Sequence, residues 1–327
     1  MSAGVAEQSV MTSSTPPPTQ PPSISPPATG SRLGLAANRP AQPAKELQPM
    51  FVTSTALIIV SVVIFTFYAT IAILGPVRHA RDQTTAYATF RGELENATAM
   101  VTQLGDDGQP QPLGTPMAVL DIPQLELREV VFEGTTSGVL RSGPGHRRDT
   151  PLPGQAGTSV IFGRQAGFGG PFADLRQLAK GQVFTVTTGQ GKHLYRVVGV
   201  RRAGDPQAPA LAAGKGRITL ITAAGTEFIP EGVLRVDADL VSPVQLAGPR
   251  PITTAMLPSA ETALGTDSSV VLAIMLLSQA LLLASLAVAW ARTRWGRLQV
   301  WVAGMPFLLA LGVALSDQLA CLLPNLL

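Results

Sequence analysis

Few side chains in this sequence are of the types that covalent or acid–base chemistry requires. The single cysteine, Cys321, lies in an apolar run, and the three histidines are His79, His146 and His193. Nucleophilic catalysis needs a reactive nucleophile beside a proton carrier. His193 falls in a predicted hairpin and His79 beside a predicted membrane helix, so neither has an evident catalytic partner. No second thiol is available in the sequence.

Residues 219–223, Thr-Leu-Ile-Thr-Ala, end a strand-like run. Thr222 carries the last hydroxyl of this run and Ala223 follows it. Because side chains alternate along a strand, Thr222 and Ala223 point to opposite faces. We therefore expect Thr222 to pack or to form a local hydrogen bond.

The composition indicates a membrane protein. The chain has 327 residues, of which 46% are hydrophobic and 14% are charged, and this is too apolar for an ordinary soluble domain. The net charge is +3 and the basic residues are scattered, so we expect no nucleic-acid partner. A single cysteine excludes an internal disulfide.

Three segments are apolar and long enough to cross a bilayer as helices: 50–75, 269–291 and 298–323. The short loop between the last two carries Arg292, Arg294 and Arg297. The positive-inside rule places this loop in the cytoplasm. The region between the first and second spans is then extracytoplasmic, and the protein is predicted to be a multi-pass membrane protein.

Residues 1–49 are rich in Pro, Ser, Thr, Ala and Gln and have almost no large apolar residues. Such a segment buries too little surface to order itself, so we predict a disordered cytoplasmic tail. Residues 18–21 fit a PxxP ligand pattern, which this composition also produces by chance.

The third predicted span is irregular. Pro306 predicts a kink, and Asp317 places a carboxylate toward the outer end. A carboxylate in hydrocarbon is unfavourable unless it is neutral, paired or near water. Asp317 therefore either reaches the outer interface or meets a partner helix.

Between the spans, the sequence predicts a juxtamembrane helix and linker (76–112), a β domain (113–243) and a second linker (244–268). The helix is expected to end before Gly105, and Gly75 with Pro76 is expected to close the first span. The β domain contains short strand-like runs separated by Gly and Pro, which is typical of a closed or nearly closed barrel. These runs are 117–122, 130–132, 159–162, 183–188, 194–201, 218–222 and 234–241.

Several short motifs follow one another in a specific order across residues 113–243. They are 120–123 (Leu-Asp-Ile-Pro), 133–136 (Glu-Gly-Thr-Thr), 143–146 (Gly-Pro-Gly-His), 160–163 (Val-Ile-Phe-Gly) and 170–172 (Gly-Pro-Phe). In this order the chain resembles sortases, the cell-surface cysteine transpeptidases, and most closely the actinobacterial type called class E or F. The resemblance implies a mainly β fold, an eight-stranded barrel with short helices, here combined with three transmembrane helices.

The same resemblance implies a chemistry that this chain lacks. In sortases a cysteine attacks a peptide bond of a sorting signal such as LPxTG, a histidine moves protons, and an arginine steadies the oxyanion. Ala223 stands at the position of the cysteine and Arg164 at that of the histidine, whereas Arg235 matches the arginine. His146 matches a second histidine common in the family, and it either approaches the groove or bonds the backbone.

The resemblance thus predicts a degenerate site with no catalytic residue, no metal and no cofactor. Arg164 and Arg235 either make the groove electropositive, suited to an extended peptide or a C-terminal carboxylate, or pair with Glu227 and Asp237. Thr222, Ala223 and His146 complete the candidate groove.

Three functions follow from this pattern. The first is a catalytically inactive, sortase-like binding or assembly subunit of a cell-envelope complex. The second is an active sortase-type peptidase or transpeptidase that uses non-standard residues or those of a partner. The third is an accessory subunit of a membrane transport complex. Other membrane or cell-envelope proteins are the expected partners.

Overall fold

The computed structural model describes residue 61 and residues 63–105, 107–294 and 297–327. The predicted tail at 1–49 lies outside the described residues. Of the predicted first span at 50–75, the described part is residue 61 and residues 63–75.

Eight strands form a closed barrel, which confirms the predicted fold. Around the barrel the order is β1, β2, β3, β4, β7, β8, β6 and β5. Seven strands coincide with predicted runs, and the two-residue β3 is the one that the sequence analysis missed. In chain order the strands are β1 (Pro116–Ile122), β2 (Leu127–Glu133), β3 (Gly145–His146), β4 (Gly157–Phe162), β5 (Val183–Thr188), β6 (Gly191–Arg201), β7 (Gly216–Thr226) and β8 (Ile229–Leu240).

The interior of the barrel is apolar because its strands alternate. Leu220 on β7 and Leu234 and Val236 on β8 lie in the main core cluster. Phe184 and Tyr195 belong to the same cluster, and their rings stack with centroids 5.7 Å apart. The residues between these core positions point to the outer face of the β7–β8 sheet.

The first described helix, α1 (Val63–Glu95), is longer than predicted. Gly75 and Pro76 do not end it, because a π-helical segment at Thr70–Leu74 precedes them. Proline lacks an N–H and its ring crowds the carbonyl four residues earlier, and a widened turn accommodates both effects. The helix ends at Glu95, ten residues before the predicted boundary at Gly105.

Helix α1 covers an edge of the barrel. Strand β2 pairs with β3 only at Phe132 and Glu133, so its earlier residues lack a strand on that side. The Gln83 amide fills the gap: its Oε1 accepts from Val130 N at 2.6 Å, and its Nε2 donates to Val130 O at 3.1 Å and to Ser142 O at 2.8 Å. One side chain thus replaces a neighbouring strand at this edge.

Two more helices follow the barrel, α2 (Val271–Arg294) and α3 (Arg297–Cys321). Together with α1, they give three helices long and apolar enough to span a membrane, as predicted. Helix α3 continues across Pro306. Near its end, Asp317 accepts a hydrogen bond from Arg78 of α1, and Arg141 of the barrel lies 3.6 Å from its other oxygen. Asp317 thus meets a helix of its own chain.

The segment predicted as a linker at 244–268 packs against the barrel in its second half. It contains short 3₁₀ turns, including Ser259–Glu261. The Glu261 side chain is fully buried, and it accepts from Arg148 Nε at 2.9 Å and again from the guanidinium Nη2. Glu261 O also accepts from Thr135 Oγ1 at 2.7 Å. These bonds fix the segment beside the end of the barrel described next.

Candidate functional site

Ala223 lies on the outer face of the β7–β8 sheet, opposite Val233. It is 1% exposed and packs in a cluster with Phe162 and Ile221. Thr222 alternates to the other face, where it is buried, and its Oγ1 has no hydrogen-bond partner among the described residues. The strand geometry therefore separates the Thr222 hydroxyl from the position of Ala223.

Arg164 is carried to the same end of the barrel by β4. Strands β4 and β7 are parallel, with Phe162 opposite Ile221. Gly163 N continues the pairing by donating to Ile221 O at 3.0 Å. The next residue is Arg164, so the two degenerate positions predicted from the sequence, Arg164 and Ala223, lie at the ends of neighbouring strands.

The Arg164 guanidinium is fully buried. Its Nη2 donates to Ser137 Oγ at 2.8 Å and to Ser137 O at 3.1 Å, and its Nη1 donates to Leu327 O. It also lies 4.9 Å from the centre of the Phe168 ring. No Asp or Glu side chain among the described residues forms an ion pair with it. Burial, reinforced by the nearby charge of Arg141, lowers the pKa of Arg164 to about 9, which leaves it charged at neutral pH.

Arg235, the matched arginine, lies on β8 opposite Ile221 of β7 and Arg201 of β6. In the described part of the chain its side chain makes no hydrogen bond and no ion pair. Burial and the neighbouring charge of Arg201 lower its pKa, while Asp237 acts in the opposite direction. Arg235 is therefore a partly buried cation that is free to bind an anion.

The predicted counterions do not pair with the two arginines. Glu227 is exposed in the turn after β7. Asp237 forms an ion pair with Arg201 and accepts from Thr219 Oγ1 at 2.7 Å.

His146 lies on β3 and is fully buried. Its Nδ1 is 2.9 Å from Glu133 Oε2, and its Nε2 is 3.1 Å from Pro151 O and 3.2 Å from Thr150 Oγ1. Both ring nitrogens are occupied by local partners. This is the geometry of a histidine that bonds its own loop, the second of the two alternatives.

Cys321 ends helix α3 and is buried, with its Sγ 3.5 Å from Asp317 O. It is near enough to Arg164 to interact electrostatically with the guanidinium. The sequence places this thiol in a membrane span, whereas the structure brings it to the barrel end of that span. It lies on a different element from Ala223, and the described residues include no cluster of three or more His, Cys, Asp or Glu that could hold a metal.

The groove beside Ala223 contains residues 322–327 of the chain itself, a feature that the sequence analysis missed. Leu326 and Leu327 lie in one cluster with Phe162, Ile221 and Ala223. Gln165 N donates to Leu326 O at 2.9 Å, and Arg164 donates to Leu327 O. The sequence signal was Pro324 and Asn325, which interrupt an otherwise apolar run.

Comparison with known proteins identifies the barrel. Residues 120–228 match the family model described as the sortase domain. The barrel is therefore similar to the sortase domain, the family that the order of its motifs predicted. The matched range includes Arg164 and Ala223 and leaves out the three membrane helices. No curated protein matches the chain.

Solved sortase structures are similar to this chain. A sortase D transpeptidase of Clostridium perfringens is 19% identical, with a TM-score of 0.41 and coverage of 50% of this chain and 99% of that one. A sortase C of Actinomyces oris is 23% identical, with a TM-score of 0.36 and coverage of 50% and 99%. A Clostridium perfringens sortase C, solved with the C-terminal cell wall sorting motif, is 22% identical, with a TM-score of 0.37 and coverage of 50% and 89%.

Proposed function

We propose that this protein is a catalytically inactive, sortase-like membrane protein whose barrel is a binding or assembly subunit of a cell-envelope complex. One observation carries the proposal: Arg164, which the resemblance aligns with the proton carrier, is a fully buried guanidinium engaged with Ser137 and Leu327. A charged guanidinium donates hydrogen bonds and accepts no proton at neutral pH. Ala223 supplies no nucleophile beside it.

The surrounding groups support the same proposal. Thr222 points away from the position of Ala223, and His146 uses both ring nitrogens in local contacts. Neither is placed to replace a missing cysteine and histidine. The alternative of an active enzyme with non-standard residues therefore draws no support from these side chains.

The arrangement of the helices supports the proposed orientation. Arg292 and Arg294 lie at the end of helix α2 and Arg297 begins helix α3, whereas Ala320, near the other end of α3, accepts a hydrogen bond from Ser137 of the barrel. Arginines gather on the cytoplasmic side of bacterial membranes. The barrel is then extracytoplasmic, and the tail at 1–49 is cytoplasmic.

The proposed partners are other membrane or cell-envelope proteins that present an extended peptide or a C-terminal carboxylate. Arg235 supports the anionic choice, because it is partly buried without an ion pair in the described part of the chain. Arginine binds carboxylates with two parallel hydrogen bonds, which makes it specific as well as strong.

A turnover assay tests the loss of chemistry. The full chain, in lipid nanodiscs, is incubated with an LPxTG peptide and an amine acceptor, beside an active sortase as the positive control. We expect no acyl transfer and no hydrolysis by the wild type or by the Cys321→Ser variant. Turnover that Thr222→Ala, His146→Ala or Cys321→Ser abolished would overturn the proposal and favour an enzyme with substitute residues.

A further inference from the structure

The segment after helix α3 turns back into the groove of the barrel. Leu322 N donates to Leu319 O at 3.1 Å, which tightens the end of the helix, and Leu327 N donates to Pro324 O at 3.1 Å, which folds the segment on itself. Leu326 and Leu327 are at most 3% exposed. Residues 322–327 are called the latch segment from here on.

Asn325 is the polar centre of the latch segment. It is fully buried, and its Nδ2 donates to Thr135 O at 2.8 Å and to Thr262 O at 2.9 Å, with Ala260 O at 3.3 Å. Its backbone N–H donates to Gly265 O at 2.9 Å. Several carbonyls therefore converge on one side-chain amide, and an aspartate, which lacks the N–H₂ donors, would leave them unpaired.

The two leucines occupy an apolar pocket next to this carbonyl cage. The pocket is lined by Leu140, Phe162, Ile221 and Ala223. Alanine at 223 leaves its wall without a reactive or polar atom. The Leu326 and Leu327 carbonyls point to hydrogen-bond donors, Gln165 N and the Arg164 guanidinium respectively.

The cage and the pocket are built from parts of the chain that are distant in sequence. The loop after β2 supplies Thr135 and Ser137, the loop after β4 supplies Arg164, and residues 259–265 supply the remaining carbonyls. The buried Arg148–Glu261 ion pair holds this last part against the barrel. These features describe a built peptide site, with a polar subsite, an apolar subsite and donors for the main chain.

We propose that the degenerate groove is a peptide-binding site whose resident ligand is the chain's own latch segment, and that this contact ties the third membrane helix to the barrel. The inference rests on the proposed function in one respect: with Arg164 and Ala223 in place of a proton carrier and a nucleophile, the bound segment is held and not cleaved. The ligand class is a short segment with proline, asparagine and two bulky apolar residues in succession. A free peptide of the same class enters only when the latch segment leaves.

Covalent attachment to helix α3 gives the latch segment a large advantage over a free peptide in binding the groove. A segment attached to the end of α3 has an effective concentration of about a millimolar at the groove. A free peptide with micromolar affinity for the open groove is therefore excluded from the wild type at low concentration. Weakening the latch segment exposes the site to the probe.

Fluorescence anisotropy with a labelled Leu-Pro-Asn-Leu-Leu peptide measures the affinity of the free peptide for the full chain in nanodiscs. The variants are Leu326→Asp/Leu327→Asp, which removes the apolar anchors, and the milder Asn325→Ala, which keeps the hydrophobic contacts if the double variant folds poorly. We expect at least one variant to bind the peptide at least tenfold more tightly than the wild type. A Leu-Pro-Ala-Leu-Leu peptide, without the amide, should bind the same variant at least tenfold more weakly than the asparagine peptide.

Filling the pocket provides the control within the protein. In the opened variant, Ala223→Trp should abolish binding of the peptide, whereas the exposed substitution Arg176→Ala should leave it unchanged. Relative to the wild type, the opened variants should show faster hydrogen exchange at residues 259–265 and unchanged exchange in the β5–β6 hairpin. Equal affinity of the wild type and both opened variants, or equal affinity for the asparagine and alanine peptides, would refute the latch.

The turnover assay separates this inference from the proposed function. If an opened variant binds the peptide and also cleaves it, the site is a peptide groove but the inactive role is wrong. If it neither binds nor cleaves, the latch inference fails and the inactive role stands.

Discussion

A buried guanidinium needs acceptors rather than a reaction partner, and Arg164 has them. Its contacts to Ser137 and Leu327 use oxygen lone pairs that a histidine could engage only in part. Because no Asp or Glu side chain among the described residues pairs with this guanidinium, its hydrogen bonds go to a hydroxyl and to main-chain oxygens. Arg164 therefore holds the main chain of residue 327 at this end of the barrel through hydrogen bonds.

His193 gives the first prediction, because its surroundings favour the neutral form of the imidazole ring. His193 Nε2 lies 3.0 Å from Thr188 Oγ1, which also accepts a hydrogen bond from Gln190 N. Burial lowers the pKa of His193 below its ordinary value of 6.5. Below that pH the unfolded chain takes up a proton that the folded chain resists, so this stabilisation is complete above about pH 6.5 and declines as the pH falls.

The measurement is the melting temperature of the full chain between about pH 7 and about pH 5, the range in which histidine titrates. His193→Gln should show a shallower decline than the wild type, because it has no titrating ring. Lys192→Gln, an exposed neighbour, serves as the control and should keep the wild-type slope. Identical slopes for the wild type and His193→Gln would contradict the prediction.

At the scale of elements, alternation and turn residues predict the barrel well. Seven strands follow from short apolar runs between Gly and Pro, and the connection at residues 189–190 joins β5 to β6 as expected. Strand β3 has two residues and depends on partners in β2 and β4, so no local pattern announces it. Pro76 predicted the end of a helix that in fact continues, because the π-helical segment before it accommodates the proline.

Part of the candidate site was predictable from the sequence and part was not. The motif order singles out Ala223, Arg164 and Arg235, and in the structure these residues lie on or next to the neighbouring strands β7, β4 and β8. The occupant of the groove is not predictable from local sequence. Nothing near Asn325 indicates that its partners are the carbonyls of Thr135 and Thr262, which lie 190 and 63 residues away along the chain.

The Gln83 contact gives a prediction for helix α1. Gln83→Ala removes three hydrogen bonds to β2 and to the Ser142 carbonyl. Each is worth about 1 kcal/mol net, so the edge should lose about 2–3 kcal/mol of local stability. Hydrogen exchange of the Val130 amide should accelerate at least tenfold. Gln177→Ala, which removes an exposed glutamine bonded only to Asp174, is the control, and unchanged exchange at Val130 in Gln83→Ala would refute the role.

For the whole molecule, the barrel and the membrane helices contact each other at several separate places. Gln83 ties α1 to β2, the latch segment ties α3 to the groove, and Asp317 lies between α1, α3 and the barrel. A domain on a flexible stalk would need only one anchor. The extra contacts indicate that the position of the barrel relative to the three helices is itself fixed.

Substitution of Asp317, which lies between α1, α3 and the barrel, tests whether these contacts hold the barrel in place. Its carboxylate lies between Arg78 and Arg141, and Arg141 in turn lies near Arg164. Asp317→Asn would leave three neighbouring guanidiniums without this anion, so the helices and the barrel should separate more easily. Arg78 is 41% exposed, so solvent screening limits the coupling between Arg78 and Asp317 to about 0.5–1 kcal/mol.

A double-mutant cycle measures that coupling. The unfolding free energies of Asp317→Asn, Arg78→Gln and the double variant are compared in detergent at low and high salt. We expect the double variant to be more stable than the sum of the single changes predicts, because removing Arg78 also relieves the repulsion that Asp317→Asn exposes. The effect should weaken at high salt, since screening reduces both attraction and repulsion.

The exposed Arg91–Glu95 pair on the same helix α1 gives the control cycle and should show no measurable coupling. Additive changes at Arg78 and Asp317 would mean that this junction contributes nothing to seating the barrel, and the Gln83 contact and the latch segment would then carry that role alone.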